Sequence, residues 1–283
     1  MLLADVHILH KSDFYRIEDF KCHCNVCSIT ETEFNKSLCL SFIRKGFFEY
    51  RVFNGNQEAH VGRILISKPN FEHTTRHIDD QPDVTTVFEF KKAFFETLKE
   101  YYGSCAWFLK NNDIHSILLN CSAEADYLHH RIFQHAQNKT ASGLQIDEMV
   151  MDLLDKVMNT LGHPHDISPV PDNLKKYHLP TIETAQQFIH QHFSENISLQ
   201  QLAQHCHTSA FHFSRIFKAV MNMSPHQYLL GIRLQHAKIL LTTSAKPVSD
   251  IAFECGFNSL EHFATAYKQQ FKVSPTQQRK QVV

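Results

Sequence analysis

The strongest constraint on this chain is an internal repeat with a period of 50 residues. Ser209 recurs as Ser259, His212 as His262, Phe213 as Phe263, Phe217 as Tyr267 and Lys218 as Lys268. Ser224-Pro225 recurs as Ser274-Pro275, and Gln227 as Gln277. A fixed period with matching turn and cap residues means two copies of one supersecondary unit. Each copy reads as a short helix, a tight turn, a second helix and a stop. The short helices fall at 199–206, opened by a Ser198/Gln201 capping box, and at 248–255. Both Ser-Pro-x-Gln segments read as helix starts, with Ser as N-cap, Pro at the first helical position and Gln at the third. Gly256 fits the turn of the second copy, where a positive φ or close packing excludes most side chains.

The faces of the second helix in each copy differ in kind. In the first copy Phe213, Ile216, Phe217 and Val220 share one side and should be core. Phe211, Ser214, Arg215 and Lys218 lie at i, i+3, i+4 and i+7 and share the opposite side. Core burial does not explain an aromatic, a hydroxyl and two cations grouped on an outward face. A helix-turn-helix does, because its second helix enters the major groove, where Arg reads guanine and apolar groups touch thymine methyls. The second copy presents Leu260, Glu261, Ala264, Thr265 and Lys268, without Arg, and should contribute mainly phosphate and shape contacts. Between the copies, 226–241 is an apolar-striped helix able to hold the two recognition helices about one DNA turn, ~34 Å, apart. From Thr181 onward 9 Lys and Arg stand against 5 Asp and Glu, whereas the preceding part carries 19 against 24. A basic C-terminal third on an acidic body fits one domain that faces nucleic acid.

These residues carry a resemblance. Residues about 181–283 resemble the C-terminal DNA-binding domain of AraC/XylS-type transcription regulators. The match rests on Ile197-Ser198-Leu199 with Leu202-Ala203, on Ser209-x-x-His212-Phe213-Ser214-Arg215-x-Phe217-Lys218, and on Ser224-Pro225-x-x-Tyr228-Leu229. It continues through Arg233-Leu234-x-x-Ala237-x-x-Leu240-Leu241, Ile251-Ala252-x-x-Cys255-Gly256-Phe257 and His262-Phe263-x-x-x-Tyr267-Lys268. The resemblance implies a seven-helix domain with two helix-turn-helix units bound at double-stranded promoter DNA, with RNA polymerase as a further partner. It places Phe211, Ser214 and Arg215 against bases in the first unit, and Leu260, Glu261, Ala264 and Thr265 in the second. Three positions depart from the family pattern. The customary Gly ahead of each Ser-Pro is Asn222 and Lys272, and an Arg common in the second recognition helix is Thr265.

The preceding part is of another kind. Segments 38–43, 47–53, 58–66 and 84–90 are rich in aromatic and branched residues and read as strands, with an Asn54-Gly55 turn. Segments 91–102, 123–136 and 144–161 switch to helical spacing. In the last, Ile146, Met149, Val150, Leu153, Leu154 and Val157 form one stripe, read either as core or as a dimer seam. Three prolines between Gly162 and Pro171 mark a linker. The expectation is an α+β chain: a β-rich part (1–90) with helices (91–160), a linker (161–180), and an all-α domain (181–283). In the AraC/XylS family the first part is commonly a cupin-like barrel that senses an effector, followed by dimerisation helices. This half is similar in outline, so a homodimer is expected.

Its unusual element is Cys22-His-Cys24-Asn-Val-Cys27, with Cys39 twelve residues on. Three closely spaced sulfurs, completed by Cys39 or a His, suit a tetrahedral thiolate site, with zinc as the default metal and copper(I) or iron–sulfur as alternatives. The same cysteines could form a redox bridge such as Cys22–Cys27, or be small buried apolar groups. His60, His73 and His77 are candidates for a ligand pocket or, in an enzyme, for metal ligands. A barrel enzyme and a cysteine-based alkylation sensor are therefore the competing functions. No paired H-x-H, carboxylate pair or nucleophile–base motif supports a catalytic site. The chain shows no run of 18 apolar residues and no secretory signal, so a cytoplasmic protein with mostly reduced cysteines is expected.

Overall fold

The computed structural model describes residues 4–23, 29–53, 55–77, 82–163 and 172–280. It divides into two compact units. The first comprises Met1–Cys121, Leu128–Glu183 and Ala219–Asn222, and the second Ser122–Tyr127, Thr184–Lys218 and Met223–Val283. The α+β expectation holds, with strands in the first unit and, among the described residues, helices alone in the second.

The first unit is built on strands β1 (Ala4–Lys11), β2 (Tyr15–Cys22), β3 (Glu33–Phe34), β4 (Leu38–Lys45), β5 (Phe47–Val52), β6 (Gly55–His60), β7 (Arg63–Ser67), β8 (Glu72–His77) and β9 (Val84–Phe90). Then come α1 (Lys92–Tyr101), a 3-10 turn at Gly103–Cys105, α2 (Ala106–Leu109) and β10 (Ser116–Asn120). Helices α3 (Ala123–Asn138), α4 (Gly143–Leu161) and α5 (Asp172–His192) follow. One antiparallel sheet has the order β1-β2-β9-β4-β7-β10 and the other β3-β8-β5-β6.

Strand alternation sends successive side chains to opposite faces, and directly paired residues share a face. Ile43, Leu65 and Leu118 of the larger sheet meet Phe48, Tyr50 and Ala59 of the smaller one in a shared core. The other face of the larger sheet carries Phe42 and Phe88, with Phe42 stacked on His129 of α3 at 4.5 Å. Ser142 opens α4 with a full capping box, and Ile146, Val150, Leu153, Leu154 and Val157 are buried within the chain. Five of the six stripe residues are therefore core, and Met149 is half-buried.

Two expectations are corrected. The segment 58–66 is not one strand, because the chain turns at Val61-Gly62 and β6 and β7 belong to different sheets. The linker expected at 161–180 is helical from Asp172 onward, with Pro180 inside α5. Residues 164–171 lie outside the described residues.

Lys68, next after β7, is buried, and its Nζ donates to the Phe108 carbonyl at 2.8 Å and to that of Asn111. The Phe108 carbonyl belongs to the last turn of α2, so the ammonium sits at the negative end of that turn. Burial pulls the Lys68 pKa down from the usual 10.5 to about 8.

The second unit adds α6 (Leu199–His205), α7 (Ala210–Met221), α8 (Pro225–Thr243), α9 (Val248–Glu254), α10 (Leu260–Phe271) and α11 (Pro275–Lys280). With the part of α5 from Thr184 onward these make, among the described residues, the seven expected helices. Serine caps set their starts. Ser198 and Ser224 form capping boxes with Gln201 and Gln227, and Ser274 and Gln277 exchange the same bonds. Ser209 and Ser259 accept from the His212 and His262 amides at 3.3 and 3.1 Å. Arg233 of α8 donates to the Phe193 and Glu195 carbonyls, both at 2.7 Å, and so satisfies the orphan acceptors after α5.

Asp126, on the first turn of α3, gathers a buried polar knot in this unit. Tyr228 of α8 donates to Asp126 Oδ2, His190 Nε2 lies 2.9 Å from that oxygen, and Gln186 Nε2 donates to it at 3.3 Å. The segment Ser122–Tyr127 thus belongs with α8, although the sequence reads it as the start of the helical segment 123–136 of the first part.

Three outcomes follow from this packing. Tyr228→Phe leaves Asp126 short of a donor and should cost about 1–3 kcal/mol in urea unfolding of the second unit; a cost near zero contradicts the knot. Lys272 ends α10 at φ 65°, a conformation that costs a side-chain-bearing residue about 1–2 kcal/mol, so Lys272→Gly should stabilise by about 1 kcal/mol. For Lys68 the unfolded chain keeps its proton up to 10.5 and the fold releases it near 8. More protons bind to the unfolded state across that window, so stability rises with pH there. Melting curves at pH 8 and pH 10 should show that rise diminished in Lys68→Met relative to the parent.

Candidate nucleic-acid interface

The turn between α6 and α7 and that between α9 and α10 have the same construction. Thr208 N–H donates to the Ala203 carbonyl at 2.9 Å, and Phe257 N–H to that of Ala252 at 3.1 Å. The residue before each donor is left-handed: His207 at φ 52° and Gly256 at φ 81°. A Cβ on Gly256 would stand 2.7 Å from the Ser194 carbonyl oxygen, so this turn requires glycine both for its φ and for its close approach. The first copy solves the turn with a histidine, which residue-type patterning does not signal. The second copy inserts one residue, Asn258, before its serine cap.

Apolar burial then fixes how each second helix is rotated. In α7, Phe213, Ile216, Phe217 and Val220 are buried, with Phe213 and Phe217 rings 5.6 Å apart and Phe217 edge-on to Tyr228 at 5.5 Å. In α10, Phe263, Ala266 and Tyr267 join a core with Leu234, Ala237, Leu241, Ile251, Ala252, Cys255 and Phe257. What remains faces outward. Phe211, Arg215 and Lys218 are exposed and Ser214 is half-buried. Phe211 is 74% exposed, far beyond what a core aromatic shows. The Arg215 guanidinium lies 5.7 Å from its ring centroid, a cation–π contact that groups the two. In α10 Leu260, Glu261, Thr265 and Lys268 are exposed and Ala264 is half-buried. All nine side chains expected to meet DNA are thus displayed, on two helices of one construction. The 19 residues of α8 lie between them and span ~28 Å.

Among the described residues of the first unit, Cys39 stands apart from Cys22, and the three histidines do not converge. Cys24 and Cys27 lie outside the described residues. Cys22, at the end of β2, is disulfide-bonded, whereas Cys39, Cys105, Cys121, Cys206 and Cys255 are free thiols. Cys39 pairs with Glu89 in the β4/β9 register, while the Cys22 amide donates to the Asp83 carbonyl. Asp83 and Glu89 are six residues apart along one strand direction, ~20 Å. Cys39 therefore cannot join Cys22 in one ligand shell. Burial, with Glu89 and Glu18 nearby, pushes its thiol up to about 12.

The three histidines also part. His73 and His77 alternate onto the inner face of β8, four residues and ~13 Å apart. His73 stacks on Tyr50 at 4.6 Å, and His77 Nε2 lies 2.6 Å from Asp83 Oδ1. His60 pairs with Phe47 and so projects from the opposite face to Ala59, Phe48 and His77. A three-histidine metal centre, which the barrel-enzyme reading needs, is not assembled. Asp83 is the residue that sequence reasoning missed, because only the register carries it next to Cys22.

Comparison with known proteins bears on the second unit. A family model described as a helix-turn-helix domain matches residues 202–281. The HTH-type transcriptional regulator ArgR of Pseudomonas aeruginosa is 30% identical over 140 residues, 50% of this chain and 41% of that protein. The uncharacterized HTH-type transcriptional regulator YbfI of Bacillus subtilis is 24% identical over 231 residues, 81% of this chain and 79% of that one. The C-terminal domain of AraT, a response regulator from Geobacillus stearothermophilus, is 32% identical, covering 36% of this chain and 85% of that structure with a TM-score of 0.35. The match to ArgR spans less than half of that protein's length. Among the described residues no helix is long and apolar enough to cross a membrane. The residues that hold both recognition helices therefore match a helix-turn-helix domain and are similar to the corresponding part of HTH-type transcriptional regulators.

Proposed function

We propose that the chain is a transcriptional regulator that binds double-stranded promoter DNA in a sequence-dependent way, acting as a homodimer. Its first unit receives a signal and RNA polymerase is its partner at the promoter. The observation that carries the reading is the paired display on α7 and α10. Phe213 and Phe217 of α7, and Phe263 and Tyr267 of α10, are committed to the core, while Phe211, Arg215 and Lys218 of the one and Leu260, Glu261, Thr265 and Lys268 of the other are turned outward. A solvated face on an ordinary bundle gives no reason for two such helices in one construction, or for an outward phenylalanine beside an arginine.

The division of labour follows from chemistry. Arg215 has the fork that pairs with guanine O6 and N7, and Phe211 offers an apolar edge for a thymine methyl. Lys218 and Lys268, near the C-terminal ends of their helices, suit phosphates, which position the protein and carry no base identity. Leu260, Ala264 and Thr265 make small apolar and hydroxyl contacts, so α10 discriminates bases less sharply than α7. A signal acts by favouring one presentation of the DNA-binding units of the dimer over another, to the extent that it binds one arrangement more tightly.

Binding isotherms on a panel of operator variants test this. The logarithm of the binding constant should fall linearly with the logarithm of salt concentration. Arg215→Ala should cost about 1–3 kcal/mol and relax preference at one base position, whereas Lys218→Ala should weaken all sequences evenly and lower the salt slope by about 1. If Arg215→Ala weakened every sequence equally, α7 would not be reading bases through that residue.

A further inference from the structure

Between the two sheets, at the end away from Cys39, Cys22 meets His77 and Asp83. All three are buried, and one ligand atom from each lies within 4.8 Å of the others. A thiol sulfur, an imidazole nitrogen and a carboxylate oxygen are the three donor types that zinc takes in proteins. The carboxylate is held in place before any ion arrives. Thr85 Oγ1 donates to Asp83 Oδ2 at 2.7 Å, leaving Oδ1 toward His77 Nε2 at 2.6 Å. The main chain of Asp83 is clamped as well, since its carbonyl accepts from the Cys22 amide at 3.0 Å. On its other side Gly46, at φ 80°, lies so close that a Cβ there would stand 2.8 Å from the Asp83 Cα. An ion-binding carboxylate oriented by a hydroxyl is the arrangement that outer-shell support produces around a metal.

In this structure the Cys22 sulfur is tied in a disulfide, and a disulfide sulfur is no thiolate ligand. The two facts combine. We propose that Cys22, His77 and Asp83 form a zinc site that opens only when the Cys22 disulfide is reduced, so that one cluster reports thiol status as metal occupancy. The step balances with a dithiol as reductant. It delivers two electrons and two protons, closes to its own disulfide, and leaves Cys22 and its former partner as thiols. Zinc then displaces the Cys22 proton to solvent and takes Sγ, an imidazole nitrogen of His77 and a carboxylate oxygen of Asp83, keeping a fourth position for water. Neither Cys39 nor His60 nor His73 takes part.

The test uses the full chain, reduced with a dithiol under argon or oxidised with diamide, dialysed against zinc and then against zinc-free buffer. Metal is read by mass spectrometry and by competition with a chromophoric chelator. The reduced chain should retain one zinc, and the oxidised chain none. His77→Gln and Asp83→Asn, which leave every cysteine in place, should lose the retained zinc, Thr85→Val should weaken it about 10-fold, and Cys39→Ser should leave it unchanged. Retention of zinc by His77→Gln or Asp83→Asn overturns the assignment, because the cysteines alone would then account for it. Equal occupancy in the oxidised chain overturns the redox gate. Because buried variants can lose their fold, cobalt(II) added to the reduced parent gives an independent reading. A near-ultraviolet thiolate-to-cobalt charge-transfer band with tetrahedral d–d bands is expected, and a six-coordinate spectrum without the thiolate band contradicts the site.

Discussion

Everything functional in the second unit depends on aromatic burial setting the rotation of two helices. Phe213 and Phe217 in α7, and Phe263 and Tyr267 in α10, have no solvent-exposed alternative that does not forfeit roughly 1.5–3 kcal/mol each. Once those rings are inside, the helical period leaves no freedom over what points outward. Serine caps then fix where each helix begins, and hence which residues occupy the leading turns that a groove would receive. The display of Phe211, Arg215 and Lys218 is thus a consequence of packing on the other side of the same helix, not an independent feature.

That logic explains why the second unit could be read from its residues. Caps, prolines and the 3.6-residue period are local, and the repeat shows each one twice. The left-handed residue of the first copy's turn escaped, since His207 does there what Gly256 does in the second, and residue identity does not announce a left-handed histidine. Lys272 is the converse: its departure from glycine was visible, and the backbone is left-handed there all the same. The membership of Ser122–Tyr127 in this unit was not legible either. It arises from a knot among Asp126, Gln186, His190 and Tyr228, residues up to 102 apart in sequence.

In the first unit the same period-two signal that marks strands says nothing about which strands neighbour each other. Strands β4 and β9 were evident because both faces of the larger sheet are covered and their side chains are correspondingly apolar, and β5 of the smaller sheet because its Phe47, Phe48 and Tyr50 are buried. Strand β1 lies at an edge with most of its residues exposed, so it has no apolar alternation to detect. The cysteine spacing suggested one cluster, yet register places Cys39 beside Glu89 and replaces it at Cys22 with Asp83, sixty-one residues further along. Ligand sets assembled across a sheet are a property of pairing, and pairing is what local sequence carries least.

The two units therefore offer different kinds of surface: one displays its chemistry outward on rigid helices, the other encloses it between sheets. The claim on which the account turns is that α7 and α10 both meet the duplex. Methylation-interference footprinting of guanine N7 on a bound operator addresses that directly, because it reports major-groove contact base by base. The account predicts two groups of interfering positions on one face of the DNA, about 10–10.5 base pairs apart, for each bound domain. A single group, or none, would contradict it.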